Sequence, residues 1–411
     1  MIAPWPGGPG RTGARTLGGH TAGQLLRLCE VAGLGPDDAE SYAHTLVDAL
    51  GPAAERPLDL PPPTLTYLSD DHTPVEFSLS FTQGEAPALR LLLEPGCGAG
   101  SLAENGRASL ATVREMARRW DFSTERLDEL ADLFLPSAPH GPFALWLALE
   151  LRPGGVPRAK VYLNPSASGE RRATETVREA LRRLGHEDAY ATLPKGDGHP
   201  FLALDLGDWA SPRVKVYVRH LGLSAEEAGG LSRMPAGTGP GPAEIAEFFR
   251  VASGYGDRDA YDDFGGAAGF GRLPLDRRPG LTCHALTEPG SGAASGGAAG
   301  GVGGAAGDWA GGAASGFTVH IPVRDYVRHD GEALDRAVAL LRGHGMDPGP
   351  MVRALSAVTR RRPEDGTGLI AYLALAHQAG RPPRVTAYLS SEAYAVRPPA
   401  GERTRGVEAV H

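Results

Sequence analysis

The sequence predicts an α+β protein: a closed ten-stranded antiparallel β-barrel with a polar lumen, surrounded by a ring of α-helices. Two observations predict it. Five times along the 411 residues a pair of alternating strands is joined by a turn, with helical patterns between the pairs. Within these strands apolar and polar residues alternate, so each has one face for a core and one for water. The intervening helices must cover the apolar faces, where their own apolar stripes find partners. Laid open, ten strands would leave two unpaired edges and a broad polar side. Closure removes the edges and gathers the polar faces around one cavity.

The elements follow in order. A Gly- and Pro-rich lead runs to about Gly19, and a helix is expected over 21–32. The first strand pair is expected over 75–82 and 89–94, turning through Gln83-Gly84-Glu85. Its apolar face is Val75, Phe77, Leu79 and Phe81; its polar face is Glu76, Ser78, Ser80 and Thr82. Helices follow over 109–119 and 124–134, with Thr124 as a cap. The second pair, 143–151 and 160–163, turns through Arg152-Pro153-Gly154-Gly155, and a helix over 170–184 stops at Gly185.

The third pair, 201–206 and 213–218, sets Val214, Val216 and Val218 against Arg213, Lys215, Tyr217 and Arg219. A helix over 242–250 separates it from the fourth pair, 281–286 and 317–323. There Phe317, Val319, Ile321 and Val323 oppose Thr318, His320, Pro322 and Arg324. The connection between these two strands, 291–316, is almost wholly Gly, Ala and Ser around Asp308 and Trp309 and reads as a long mobile loop. After a helix over 331–341 comes the fifth pair, 369–375 and 384–389, turning through Gly380-Arg381-Pro382-Pro383. The expected organisation is a flexible lead over 1–19, one barrel domain over 20–397 with an insertion at 290–316, and a flexible tail over 398–411.

Bulk properties bound the function. A hydrophobic content of 41% supports a large core, and a net charge of −8 argues against broad attraction to nucleic acid or an anionic membrane. Cys29, Cys97 and Cys283 form no CxxC pair, so neither a disulfide framework nor a thiolate metal site is expected, and a reducing cytoplasmic setting fits. No apolar run reaches the roughly 18 residues of a membrane span.

Against this acidic background the inward faces collect Arg90, Lys160, Arg213, Lys215, Arg219 and Arg384, with no matching carboxylates in view. Converging cations want an anion, and several together suit a diphosphate better than a single carboxylate. Tyr162, Tyr217 and Tyr388 stand two to four residues along the strands from these cations. They can hydrogen-bond diphosphate oxygens or stabilise a carbocation with their ring faces. Solvated charges on an open sheet are the plainer reading of any one strand. Repetition over four or five strands favours the lumen.

Glu76 is the inward acid. Two roles stay open from the residues alone: accepting a hydrogen bond from a substrate N–H or O–H, or pairing with Arg90 on the next strand. Asp70-Asp71 and Asp262-Asp263 lack the DDxxD spacing of metal-bound diphosphate sites and read as solvated loops. His72 reads as a turn residue. The glycine-rich insertion has no GxxxxGK[ST] element and so is no phosphate-cradling loop.

Three stretches carry a resemblance: Asp71-His72-Thr73-Pro74-Val75-Glu76-Phe77-Ser78, Ala159-Lys160-Val161-Tyr162-Leu163-Asn164-Pro165, and Arg213-Val214-Lys215-Val216-Tyr217. Their order and spacing resemble the dimethylallyltryptophan synthase family of fungi and actinobacteria, from about Leu65 to Tyr388. The resemblance implies the αββα prenyltransferase barrel and a dimethylallyl transfer from its diphosphate to an indole, expected to be that of L-tryptophan. It implies that no metal is required, Mg²⁺ being at most stimulatory. By motif, Glu76 would bind the indole N–H. Arg90, Lys160, Arg213 and Lys215 would hold the diphosphate, and Tyr162, Tyr217 and Tyr388 would shield the allyl cation. His320 and Arg384 occupy matching later strands, Arg384 with the diphosphate and His320 with the acceptor.

One departure bears on regiochemistry. Fungal enzymes that alkylate indole C4 resemble Leu147-Ala148-Leu149-Glu150-Leu151 and carry a lysine just before it; here that position is Trp146. Trp146 is expected to wall the acceptor pocket, with C6 or another benzenoid carbon favoured over C4. Tyrosine, an indolactam or a cyclic dipeptide remain alternative acceptors, and a non-catalytic barrel for anionic ligands is the alternative outside enzymology. A helical metal-dependent prenyl synthase is disfavoured by the strand content and the missing DDxxD. A monomer or homodimer is expected, with no nucleic-acid or membrane partner.

Overall fold

Ten strands close into a barrel in which chain order is barrel order and β10 returns to pair with β1. In this computed structural model residues 15–207, 212–254, 272–287 and 314–400 are described. The strands are β1 (Val75–Thr82), β2 (Ala88–Leu93), β3 (Leu145–Glu150), β4 (Arg158–Leu163), β5 (Leu202–Leu206), β6 (Arg213–His220), β7 (Gly280–Thr287), β8 (Gly316–Ile321), β9 (Ile370–Gln378) and β10 (Arg384–Ser390). All neighbours are antiparallel, and the closing register runs from Glu76 opposite Ser390 to Thr82 opposite Arg384. Asp262-Asp263, residues 291–313 of the Gly/Ala/Ser connection, and residues 1–14 and 401–411 lie outside the described residues.

The alternation sorts the faces as expected. Val75, Phe77, Leu79, Phe81, Val214, Val216, Phe317 and Val319 all join one apolar core between the barrel wall and the helices. Burial of this outer face is what holds helix ring and barrel together, at about 25 cal/mol per Å² of apolar surface removed from water. β9 departs from strict alternation: the register slips between Tyr388 and Leu389, where Tyr388 faces Tyr372 but Leu389 faces Ile370. The extra residue lets Ile370 and Leu373 both join the core while Tyr372 turns inward.

Ten helices belong to the described residues. α1 (Leu17–Val31) and α2 (Pro36–Leu50) precede the barrel. α1 starts earlier than expected, because the Thr16 hydroxyl accepts from Gly19 N at 3.1 Å. So Leu17–Gly19 is helical rather than part of a flexible lead. α2 was not anticipated, although Pro36 at its first turn, Asp37 and Asp38 beside it and Gly51 at its end are ordinary helix signals. α3 (Leu102–Trp120) and α4 (Glu125–Phe134) follow β2. α3 begins at a Ser101 cap, well before the predicted start at Ser109, and runs through Asn105-Gly106. A side chain at Gly106 would meet Leu135 at 3.1 Å and Ala144 at 3.3 Å, so this glycine is a close-packing residue and not a breaker.

α5 (Ala173–Arg183) follows β4 and ends at Gly185, whose φ is 74°. Residues 170–172, predicted within it, form a 3-10 turn instead. α6 (Ala189–Thr192) and α7 (Ala225–Gly229) are short additions. α8 (Pro242–Ser253) and α9 (Asp330–Gly343) sit where helices were expected, and α10 (Gly349–Val358) packs on α1. Among the described residues no helix is long and apolar enough to cross a membrane.

Candidate active site

The polar faces enclose a cavity of about 300 Å³ whose wall includes Arg90, Lys160, Arg213, Lys215 and Arg384. Alternation on β2, β4, β6 and β10 brings these five side chains to one chamber. Arg219 keeps the inward parity of β6 but lies past the rim, half-exposed, held by Asp197 O at 2.8 Å and Glu170 at 3.3 Å. It does not join the cluster. Arg158 and Arg381 line the cavity as well.

The expectation of cations without carboxylates is corrected by two acids. Glu150 on β3 accepts from Arg90 at 2.7 Å and is 3.4 Å from Arg158. Asp205 on β5, with a side chain 0% exposed, accepts from Arg213 at 2.7 Å and lies 3.4 Å from Lys215. Burial opposes ionisation of both, yet the surrounding cations win. Arg90, with Arg384 and Lys160, holds Glu150 well below the usual carboxylate range, and Lys215, Arg213 and Lys160 hold Asp205 at about 2. Because Arg90 is committed to Glu150, it is not the partner of Glu76.

Positive charge still dominates the wall. Among the described residues Arg384 has no ion pair, and its Nε is buried without a hydrogen bond. Burial, with Arg90 nearby, pulls its pKa down to about 10, so it remains charged at neutral pH. Burial, then Arg213, pushes the Lys215 ammonium well below its ordinary range. Asp205 opposes that shift, and an anion entering beside Lys215 would favour its charged form further.

Above the cations runs an arc of rings. Tyr162 and Tyr217 are 5.9 Å apart between centroids, Tyr217 and His320 5.7 Å, His320 and Tyr388 5.9 Å, and Tyr388 and Tyr372 6.3 Å. His320 therefore stands inside the tyrosine arc. Burial, with Lys160 adding, lowers its pKa to about 3, so it contributes a neutral imidazole. Tyr372 was not anticipated, because only the β9 bulge turns it inward.

Beyond the arc lies the acid. Glu76 stands one inward position past Ser78, which lines the cavity, and is 5% exposed. Among the described residues no hydrogen bond or ion pair reaches its carboxylate. Burial pushes its pKa up to about 8, with Arg324 opposing. Trp146 lies on the same side in an apolar cluster with Leu68, Phe143 and Leu92. Its ring stacks on Phe143 at 4.2 Å and contacts Phe201 at 5.5 Å, which in turn meets Tyr217 at 5.5 Å. The aromatic wall is thus continuous from Trp146 to the tyrosine arc.

Sequence reasoning missed the group that orients Trp146. Glu94 is buried at the end of β2 and accepts from Trp146 Nε1 at 3.3 Å, from the Thr66 hydroxyl and from the Asn105 amide. It also misjudged Asp70-Asp71. Asp71 accepts from the Tyr394 backbone N–H at 2.9 Å, and Asp70 pairs with Arg278 at 2.6 Å, so neither belongs to a solvated loop. His72 is a turn residue as expected, with φ 61° and its ring 2.9 Å from Thr66 O.

In chemical terms the lumen has a cationic cavity suited to a diphosphate, an aromatic arc able to face a carbocation and, past the lining of that cavity, a buried carboxylate and an apolar aromatic cluster. Comparison with known proteins agrees. A family model described as tryptophan dimethylallyltransferase matches residues 38–231. The solved structure of the prenyltransferase PriB, a ternary complex with L-tryptophan and dimethylallyl thiolodiphosphate, is 57% identical over 94% of this chain and 99% of that one, with a TM-score of 0.83. The 5-dimethylallyl tryptophan synthase from Streptomyces coelicolor is 58% identical, covering 97% of this chain and 99% of that chain, TM-score 0.82. The 6-dimethylallyltryptophan synthase from Micromonospora olivasterospora is 37% identical, covering 94% and 100%, TM-score 0.77.

Proposed function

The chain belongs to the tryptophan dimethylallyltransferase family, and on that premise we propose that it transfers a dimethylallyl group from dimethylallyl diphosphate to the indole ring of L-tryptophan. The observation that carries the reading is a barrel lumen with a cationic cavity, rings in its wall, and the buried Glu76 one inward position beyond the Ser78 of that wall.

The steps follow from that arrangement. Arg90, Lys160, Arg213, Lys215 and Arg384 grip the diphosphate and stabilise the charge that develops as the donor C–O bond breaks, its electron pair leaving on oxygen. Tyr162, Tyr217 and Tyr388 face the allyl cation and keep out water, which would otherwise capture it as an alcohol. Glu76 accepts the indole N–H and pushes electron density into the ring. A benzenoid carbon then bonds to the allyl carbon, and the proton on that ring carbon leaves to diphosphate or, through water, to Glu76. Trp146 supports attack away from C4, since it offers a wall and no amine where a base for C4 would stand.

These side-chain cations also support a reaction that needs no metal ion for diphosphate binding. The test is incubation with dimethylallyl diphosphate and a panel of tryptophan, tyrosine and cyclic dipeptides, with and without EDTA. Mass spectrometry should show L-tryptophan gaining one isoprene unit at an undiminished rate in EDTA, and NMR should place it on a benzenoid carbon other than C4. Product formed only from another acceptor, or lost in EDTA, would overturn the corresponding part of the reading.

A further inference from the structure

One nucleophile in the lumen wall takes no part in the tryptophan reaction. Cys283, on β7, is a free thiol, 3% exposed, and lines the cationic cavity. Cys29 and Cys97 are buried in the apolar core outside the wall, whereas Cys283 belongs to a separate inner cluster with Ala203 and Tyr217. In the register of β6 and β7, Cys283 lies directly opposite Tyr217, and Lys215 stands one inward position from Tyr217. Opposed side chains of an antiparallel pair have Cβ atoms about 4.5–5.5 Å apart. The thiol is thus beside a ring assigned to the allyl cation and near a lysine assigned to the diphosphate, the two groups that the breaking C–O bond connects.

Two further side chains mark the space before this thiol as a ligand's. On β8, His320 lines the same cavity, is 7% exposed, and has its Nδ1 buried with no hydrogen-bond partner among the described residues. On β10, Arg384 lines it too, with its Nε buried and idle.

Burial pushes the pKa of the Cys283 thiol up, with Lys215 and Lys160 opposing, so the sulfur keeps its proton at neutral pH and is inert toward ordinary oxidants. A carbocation needs no thiolate. Neutral sulfur still offers a soft, polarisable lone pair, and rings that exclude water remove the main competitor for the cation. Resting on the transfer reading above, we propose that Cys283 captures the dimethylallyl group when no acceptor is bound, so that the enzyme alkylates itself and the acceptor protects it. The donor C–O bond breaks with its electron pair on the diphosphate. A sulfur lone pair bonds to the allyl carbon, and the S–H proton passes to a diphosphate oxygen. The products are S-dimethylallyl cysteine and diphosphate, and no oxidant or reductant is needed.

The test incubates the full chain with dimethylallyl diphosphate alone and with excess L-tryptophan added, and repeats the first arm with Cys283→Ala. Intact-mass and peptide mass spectrometry read the outcome. Without acceptor the wild type should gain one isoprene unit per chain, mapped to Cys283, and lose its tryptophan-prenylating activity in proportion to the adduct. L-tryptophan should suppress the adduct, and Cys283→Ala should gain no mass and keep through the preincubation the activity it starts with. An unlabelled wild type that still prenylates tryptophan would overturn the proposal. So would an adduct on Cys29, Cys97 or a tyrosine, an adduct undiminished in Cys283→Ala, or labelling that tryptophan does not slow while it is itself prenylated. Labelling of Cys283 with no tryptophan product would uphold the capture and overturn only the choice of acceptor. If neither adduct nor prenylated tryptophan forms, the transfer reading fails and this inference with it.

Discussion

Glu76 shows how the chemistry of the site and the stability of the fold pull in opposite directions. Its burial raises the pKa from the ordinary 4.5 to about 8. Between those values the folded chain binds a proton that the unfolded chain releases, so this group's contribution to stability is fully present below 4.5 and is lost as pH climbs to about 8. Glu76→Gln removes that loss and should raise stability at pH 8 by on the order of 2–4 kcal/mol, with wild type and variant converging near about pH 4 in thermal melts. The role proposed for Glu76 asks for the ionised form. The kcat/KM of the wild type should therefore rise through about pH 8, and Glu76→Gln should lose turnover by about 100-fold or more with no such rise. A flat profile, or a variant less stable at pH 8, would contradict this account. At this scale the sequence was informative about the cations and the tyrosines, because period-two alternation assigns a side chain to a face. It hid Glu150 and Asp205, one at a strand end and the other between two leucines. It placed Arg219 on the right face without showing that its side chain is held by Asp197 and Glu170, away from the cation cluster.

All ten strands were legible, since turn chemistry and alternation agree in each pair, and their ends fell within a few residues of the predicted ones. The helices were less so. α2, ahead of the first strand pair, and α10, between the fourth and fifth, were not anticipated, and α3 starts earlier than expected and runs through Asn105-Gly106, whose packing the sequence does not show. That packing connects an element to the site. Gly96 follows β2, its N–H donates to Ser109 Oγ at 3.1 Å, and a side chain added there would meet the Asn105 backbone at 2.3 Å. Asn105 in turn donates to Glu94, which orients Trp146. Gly96→Ala should push α3 off its seat, costing about 1–3 kcal/mol, seen as a lower melting temperature. It should also raise KM for the acceptor while sparing donor affinity. An unchanged melting temperature would show that the helix tolerates the shift and that Trp146 is fixed by other means. The bulge on β9 could not be read from the sequence, because nothing in Ile370-Ala371-Tyr372-Leu373 distinguishes a slip from a continuous strand.

For the molecule as a whole, closure turns an acidic chain into a container for an anion. The net charge is −8, yet the cavity wall carries seven cationic side chains against Glu85 and Glu150, with Asp205 behind. An open sheet would have offered the same residues to water, where each ion contact is weak. Enclosure gives them a shared low-dielectric space and separates donor from acceptor within it. That separation is tested most directly by calorimetric titration of dimethylallyl thiolodiphosphate into the wild type, Lys215→Ala and Glu76→Gln. Lys215→Ala should bind the analogue roughly tenfold or more weakly, as expected for a lost charged contact, while Glu76→Gln should bind it as the wild type does. Equal affinity in Lys215→Ala, or an equal loss in both variants, would mean that the chamber is not divided as described.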